Sequence, residues 1–168
     1  MAMNILLRKL DKKIWLDPQI AAQLGSLQAD ALKNFKTTEN KLSVFIVADG
    51  DKDLDRILTA LASTRDSVDI LDYALFEASI LEKAGIKYDS NVQGATADND
   101  VNRLHIDLIN LTAKQIFDLA DFIQNNGELK RITGSQVKKM LLVAIRNKTL
   151  DNAKINKKLS KELLIEVN

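Results

Sequence analysis

The sequence predicts an α+β fold in which a small mixed β-sheet of about four to five strands is covered by about five to six helices. Three observations support this class. Short apolar runs rich in β-branched residues alternate with segments of helical periodicity. Hydrophobic residues make up 46% of the chain, and its net charge is only +1, which is typical of a folded protein. No linker rich in Pro, Gly or Ser divides the 168 residues, so one compact domain over residues 1–168 is expected.

The first half of the chain is predicted to alternate between helix and strand. An acidic cap followed by proline begins a helix over 17–35. Residues 41–48 are apolar on both faces, which predicts a buried central strand. Leucine and isoleucine at i, i+3, i+4 and i+7 predict a helix over 53–63. A broad apolar surface over 67–84, followed by glycine, predicts a second helix.

The second half begins with a polar segment. Residues 86–101 lack periodicity and predict a loop that is mobile. Alternation over 104–109 predicts a half-exposed strand. A Thr-x-x-Gln capping box and an apolar face predict a helix over 112–126, and a similar apolar face predicts another over 135–147. The last predicted elements are a short basic helix over 151–159 and a strand over 161–167.

The composition excludes several kinds of chemistry. The chain has no cysteine, which excludes disulfides, thiolate metal sites and a cysteine nucleophile. It has one histidine, which excludes metal sites built from several histidines. No secretory leader is recognised, and no apolar run approaches the roughly 18 residues of a membrane span. The sequence therefore predicts a cytoplasmic protein that has no membrane partner.

The charge of the chain is unevenly distributed. Residues 51–100 hold five basic and eleven acidic side chains, a net charge of −6. Residues 127–168 hold ten basic and four acidic side chains, a net charge of +6. Opposite charges on one molecule favour association with a charged partner or with a second copy of the chain.

An acidic cluster follows the predicted central strand. Asp49, Asp51 and Asp53 lie where the strand passes into a helix, a common position for ligand sites. Such carboxylates could hold Mg²⁺ for reactions of phosphate esters. The simpler interpretation is that they cap the helix and form a turn.

The basic C-terminal region is the strongest candidate for binding. Its cations could contact nucleic acid or an acidic protein, although no aromatic residue is present there to stack on bases. The candidate binding residues are Lys130, Arg131, Lys138, Lys139, Arg146 and Lys148.

These observations favour a non-enzymatic intracellular interaction or regulatory module. It would bind a protein partner or associate with itself as a homodimer, and would need no cofactor. The first alternative is an enzyme that acts on phosphate esters with Mg²⁺ held by Asp49, Asp51 and Asp53. The second is nucleic-acid binding through residues 127–168.

Overall fold

The computed structural model describes residues 5–15 and 27–163. Within these residues the chain forms strands and helices that fall into two compact units. The first unit comprises the described parts of residues 1–48, with 72–92 and 106–130. The second comprises residues 49–71 and 93–105, with the described part of 131–168.

The strands of the described residues are β1 (Ile5–Leu10), β2 (Leu42–Val47), β3 (Leu71–Glu77), β4 (Lys87–Asp89), β5 (His105–Ile109) and β6 (Glu128–Ile132). The α-helices are α1 (Gly50–Ser63), α2 (Ser79–Lys83), α3 (Asn99–Asn102), α4 (Ala113–Asn126), α5 (Gly134–Arg146) and α6 (Lys157–Glu162). Short 3₁₀ helices cover Lys12–Ile14, Ala29–Phe35 and Asn152–Lys154.

The first unit is built on a six-stranded sheet in the order β4-β5-β2-β1-β3-β6. β1 pairs with β2 and β3, and β4 pairs with β5, in each case antiparallel. Arg8 links β1 to β2 and to the 3₁₀ helix Ala29–Phe35. Its guanidinium donates to the carbonyl oxygens of Ser43 at 2.7 Å and Asn34 at 2.9 Å.

One face of this sheet carries the core of the first unit. Leu6, Val44 and Phe76 come from three adjacent strands and are buried together with Leu119 and Ile123 of α4. Full burial of such side chains contributes about 1.5–3 kcal/mol each. The core therefore fixes α4 against the sheet.

The second unit is mainly helical. α1 packs against α3 and α5. Ile57 of α1, together with Val137 and Leu141 of α5, is almost fully buried. Val137 and Leu141 lie one turn apart on the same side of α5, so the opposite side of α5 is left to solvent.

The α+β class is confirmed, with six strands rather than four to five. The strand predicted over 41–48 is β2, at the centre of the sheet, and the strand predicted over 104–109 is β5. The helix predicted over 112–126 is α4, and its capping box is present. The helix predicted over 53–63 is α1, which begins three residues earlier.

The helix predicted over 67–84 is wrong, because β3 and the short helix α2 occupy most of that segment. Leu71, Tyr73, Ala74 and Phe76 are all buried in β3, so both faces of the strand are covered. A strand buried on both faces has apolar residues at nearly every position. That pattern also matches the broad apolar surface of a buried helix.

Other differences lie near the ends of elements. Residues 128–132, for which no element was predicted, form β6. α5 begins at Gly134 after a Thr133 cap rather than at 135. Of the basic helix predicted over 151–159, only a 3₁₀ turn and the first residues of α6 are helical. α6 also contains the beginning of the strand predicted over 161–167.

Some predictions fall wholly or partly beyond what the structure describes. Residues 16–26 of the helix predicted over 17–35 are outside the described residues, and the described remainder includes a 3₁₀ helix over Ala29–Phe35. The last residues of the predicted terminal strand, 164–167, are also outside them. The segment 86–101 lies within the described residues. The loop predicted there is wrong in part, because the segment contains β4 and most of α3. Its mobility stays a prediction.

No helix in residues 5–15 and 27–163 is both long enough and apolar enough to cross a membrane.

Candidate interaction surface

The outward side of α5 combines cationic and apolar side chains. Lys138, Leu142 and Arg146 follow one another at four-residue spacing and form one ridge of the helix. Lys139 and Val143 form the neighbouring ridge. We refer to these five residues as the basic face. The helix is fixed in this orientation because Val137, Leu141 and Ala144 are buried on its other side.

The apolar residues of the basic face are unusually open to solvent. Leu142 is 40% exposed and Val143 is 47% exposed. Single exposed aliphatic residues are common on protein surfaces. Here two lie side by side on one helix and are bordered by cations, which gives a surface that can bury apolar area and attract negative charge together.

The cations of the basic face are open to solvent. Lys138, Lys139 and Arg146 are exposed. None of the three forms an ion pair with any residue in the described parts of the chain. No acidic side chain of the described residues therefore offsets these three positive charges.

A groove of about 520 Å³ runs along the second unit beside the basic face. Val143 and Lys139 belong to both the basic face and the wall of the groove. The larger part of the exposed lining is apolar and includes Met140, Ala144 and Leu150. The volume lies in the range of about 300–1,000 Å³ typical of sites for small ligands.

A buried ion pair forms the polar wall of this groove. Nε and Nη2 of Arg56 donate to the two carboxylate oxygens of Asp98, at 3.1 and 2.8 Å. Nη2 also donates to Asp100 at 2.9 Å. The side chain of Asp98 is only 4% exposed, whereas that of Arg56 is 34% exposed. Asp98 also caps α3 by accepting from the backbone N–H groups of Asp100 and Val101.

These contacts shift the pKa values of Arg56 and Asp100. Burial alone would lower the pKa of Arg56, but the hydrogen bonds and charges of Asp100 and Asp98 outweigh it, so the pKa is raised. The hydrogen bond and the charge of Arg56 lower the pKa of Asp100. Both shifts favour the charged forms of Arg56 and Asp100.

The other predicted binding cations differ in their surroundings. Lys130 lies on β6 and pairs with Glu128 at 2.7 Å, and Arg131, the next residue of β6, is exposed. Lys148 follows α5 with φ of 57°, in the left-handed region. There it completes a helix end in which the N–H of Thr149 donates to the carbonyl of Ala144 at 3.0 Å.

The predicted magnesium ligands lie at the start of α1. Asp49 and Asp51 are exposed, and a carboxylate oxygen of Asp53 accepts a hydrogen bond from the backbone N–H of Asp49 at 2.7 Å. Lys52 lies 3.9 Å from Asp49. In the described residues, no three His, Cys, Asp or Glu side chains converge as a metal would require. The magnesium site stays a prediction, to which the geometry lends no support.

The sequence did not indicate the groove. Its polar wall joins Arg56 to Asp98, 42 residues apart, and no spacing rule connects such positions. The exposure of Leu142 and Val143 could have been found, because both fall on the side of the predicted helix opposite its apolar stripe.

A second cavity of about 620 Å³ lies in the first unit. Its lining includes Glu77, Glu82 and Tyr88. Glu77 already accepts a hydrogen bond from the hydroxyl of Ser79 at 3.2 Å. This cavity brings together none of the predicted site residues.

Comparison of the chain with family models, with curated proteins and with solved structures finds no match. The structure itself shows an α+β chain whose helical unit presents a basic and apolar helix face beside a groove.

Proposed function

We propose that this protein is a non-enzymatic interaction module that binds an acidic protein segment through the basic face of α5. One observation carries the proposal: three cations without ion-pair partners in the described chain border two exposed aliphatic side chains on one helix. Oppositely charged groups on a partner would steer the encounter, and the aliphatic residues would provide apolar area to bury.

The mixed character of this face favours a protein partner over a nucleic acid. Phosphate groups attract cations, but Leu142 and Val143 offer a phosphate backbone no favourable contact. Residues 127–168 contain no aromatic side chain on which a base could stack. An acidic peptide that carries aliphatic residues would satisfy both kinds of group.

A peptide-binding measurement tests the proposal. The probe is a fluorescein-labelled peptide rich in glutamate, with leucine at every fourth position, followed by fluorescence anisotropy at moderate salt. We expect wild-type protein to bind it and Lys138→Glu/Arg146→Glu to bind it about tenfold more weakly. Each reversal removes an attraction worth about 0.2–1 kcal/mol and adds a repulsion of similar size.

The matched control is Lys157→Glu/Lys161→Glu, which changes the net charge equally on exposed residues of α6. Its affinity should stay within about twofold of wild type. Equal losses in the two variants would reduce the effect to overall charge and contradict the proposal. Tighter binding of a labelled DNA duplex, with a steep loss on added salt, would instead favour the nucleic-acid alternative.

A further inference from the structure

The groove beside the basic face explains how such a partner would be anchored, an inference that rests on the proposed function. The net charge of its wall is close to balanced, because Arg56 and Lys139 face Asp55 and Asp98. Arg56 is already held by Asp98 and Asp100. A charged ligand group would therefore gain little from Arg56, and the apolar part of the lining is what an aliphatic ligand group can use.

The cations lie mainly outside this groove. Lys138 and Arg146 are on the ridge of α5 next to it and do not line it, whereas Lys139 and Val143 stand at its edge. An occupant that matches this arrangement has an aliphatic side chain for the groove and carboxylates beside it for the ridge.

We propose that the groove is the anchor site of an acidic segment of a partner protein, which inserts an aliphatic side chain against Met140, Val143 and Ala144. Its flanking carboxylates then lie over Lys138 and Arg146. The charge of the ridge argues for this occupant, since no acidic residue in the described chain pairs with it. Apolar burial at the groove supplies affinity, and the ridge supplies orientation and rate of encounter.

Two probes and two variants separate these roles. One probe is the leucine-containing acidic peptide, and the other has each leucine replaced by serine. The groove variant Met140→Gln/Val143→Gln removes apolar wall without changing charge. The matched control, Phe117→Gln, makes the same kind of change at an exposed apolar residue of α4 that belongs neither to the groove nor to the basic face.

We expect the groove variant to bind the leucine peptide about tenfold more weakly than wild type does, because a buried aliphatic contact is lost. Its affinity for the serine peptide should stay within about twofold of wild type, since that peptide has no anchor to lose. Phe117→Gln should change binding of either peptide by less than about twofold. If the groove variant unfolds early, Val143→Gln alone serves, because that side chain is 47% exposed.

Other outcomes would overturn the inference. A loss for Phe117→Gln as large as that of the groove variant would show that the effect does not come from the groove. Equal binding of both peptides by wild type, weakened by Lys138→Glu/Arg146→Glu, would leave the proposed function standing without the anchor. No binding of either peptide would remove both. A dimer seen by light scattering and lost in the groove variant would identify a second copy as the occupant.

Discussion

Helices α4 and α5 begin alike but present different outer sides. Both start with a Thr-x-x-Gln capping box, Thr112–Gln115 in α4 and Thr133–Gln136 in α5. They have nearly the same length, 14 and 13 residues. Each buries one apolar stripe in the core of its own unit. Local signals of helix formation therefore do not distinguish them.

The difference lies in how each helix uses its outer charges. On α4, Lys114 pairs with Asp118 at 2.7 Å, and Lys83 of α2 lies 5.7 Å above the ring of Phe122. Phe117 is exposed on α4, but no row of unpaired cations borders it. On α5, the cations of the basic face form no ion pair with the described residues. The two helices therefore differ in whether their exposed cations pair with the described residues, although they are built alike.

The largest effect on stability should come from the Arg56–Asp98 ion pair in the wall of the groove. Asp98→Ala leaves the Arg56 guanidinium without its main partner and removes the cap of α3. We expect the free energy of unfolding to fall by about 3 kcal/mol, the low end for a broken buried pair because Arg56 is partly exposed. Urea unfolding measures this change.

The matched variant on α4 is Asp118→Ala, which breaks the surface pair with Lys114. Its expected cost is about 0.3–0.5 kcal/mol. Equal costs for the two variants would show that the wall is no stronger than a surface pair, and would remove the contrast between the two regions.

The capping boxes should give intermediate and equal effects. Thr112→Ala and Thr133→Ala each remove the hydroxyl that accepts the N–H of the glutamine three residues later. Each should lower the free energy of unfolding by about 1 kcal/mol. Thermal or urea unfolding of the two variants side by side checks this. A difference of more than about 1 kcal/mol would mean that the two helix starts are not equivalent.

The smallest effect concerns pH. Because Arg56 lowers the pKa of Asp100 in the folded protein, the pair stabilises the fold above the unfolded pKa of about 3.9. That contribution is lost as the pH falls through the lower, folded value. Asp100→Asn should therefore be less stable than wild type at pH 6, and the difference should shrink as the pH falls below the unfolded pKa. A difference between the two that is independent of pH would contradict this origin.

Much of the fold could be predicted because its signals are local. The capping box of α4 and the two-sided apolar run of β2 lie within a few residues of each other in sequence. β3 was missed because its neighbours, not its own spacing, decide that both faces are covered. The edge strand β6 was missed because only Leu129 and Ile132 in it are apolar, too few for an alternating pattern.

The candidate site likewise has one part that could be predicted from the sequence and one part that could not. Lys138, Lys139 and Arg146 were predicted as binding residues, and helical spacing alone brings them to one side of α5. The groove depends on Arg56 meeting Asp98 across 42 residues, which is a tertiary contact. Sequence periodicity describes one helix at a time, so it predicts the face of a helix but not the space between two helices.

The C-terminal end of α5 places a lysine in a backbone conformation that is unfavourable for residues other than glycine. Helices that finish in this way usually place glycine in the left-handed position, since other residues lose about 1 kcal/mol there. This chain has Lys148, with φ of 57°, one turn or less beyond Arg146. The lysine adds a positive charge to the end of the helix where the backbone dipole is negative. The same turn that stops the helix thus places one more positive charge beyond the last helical residue.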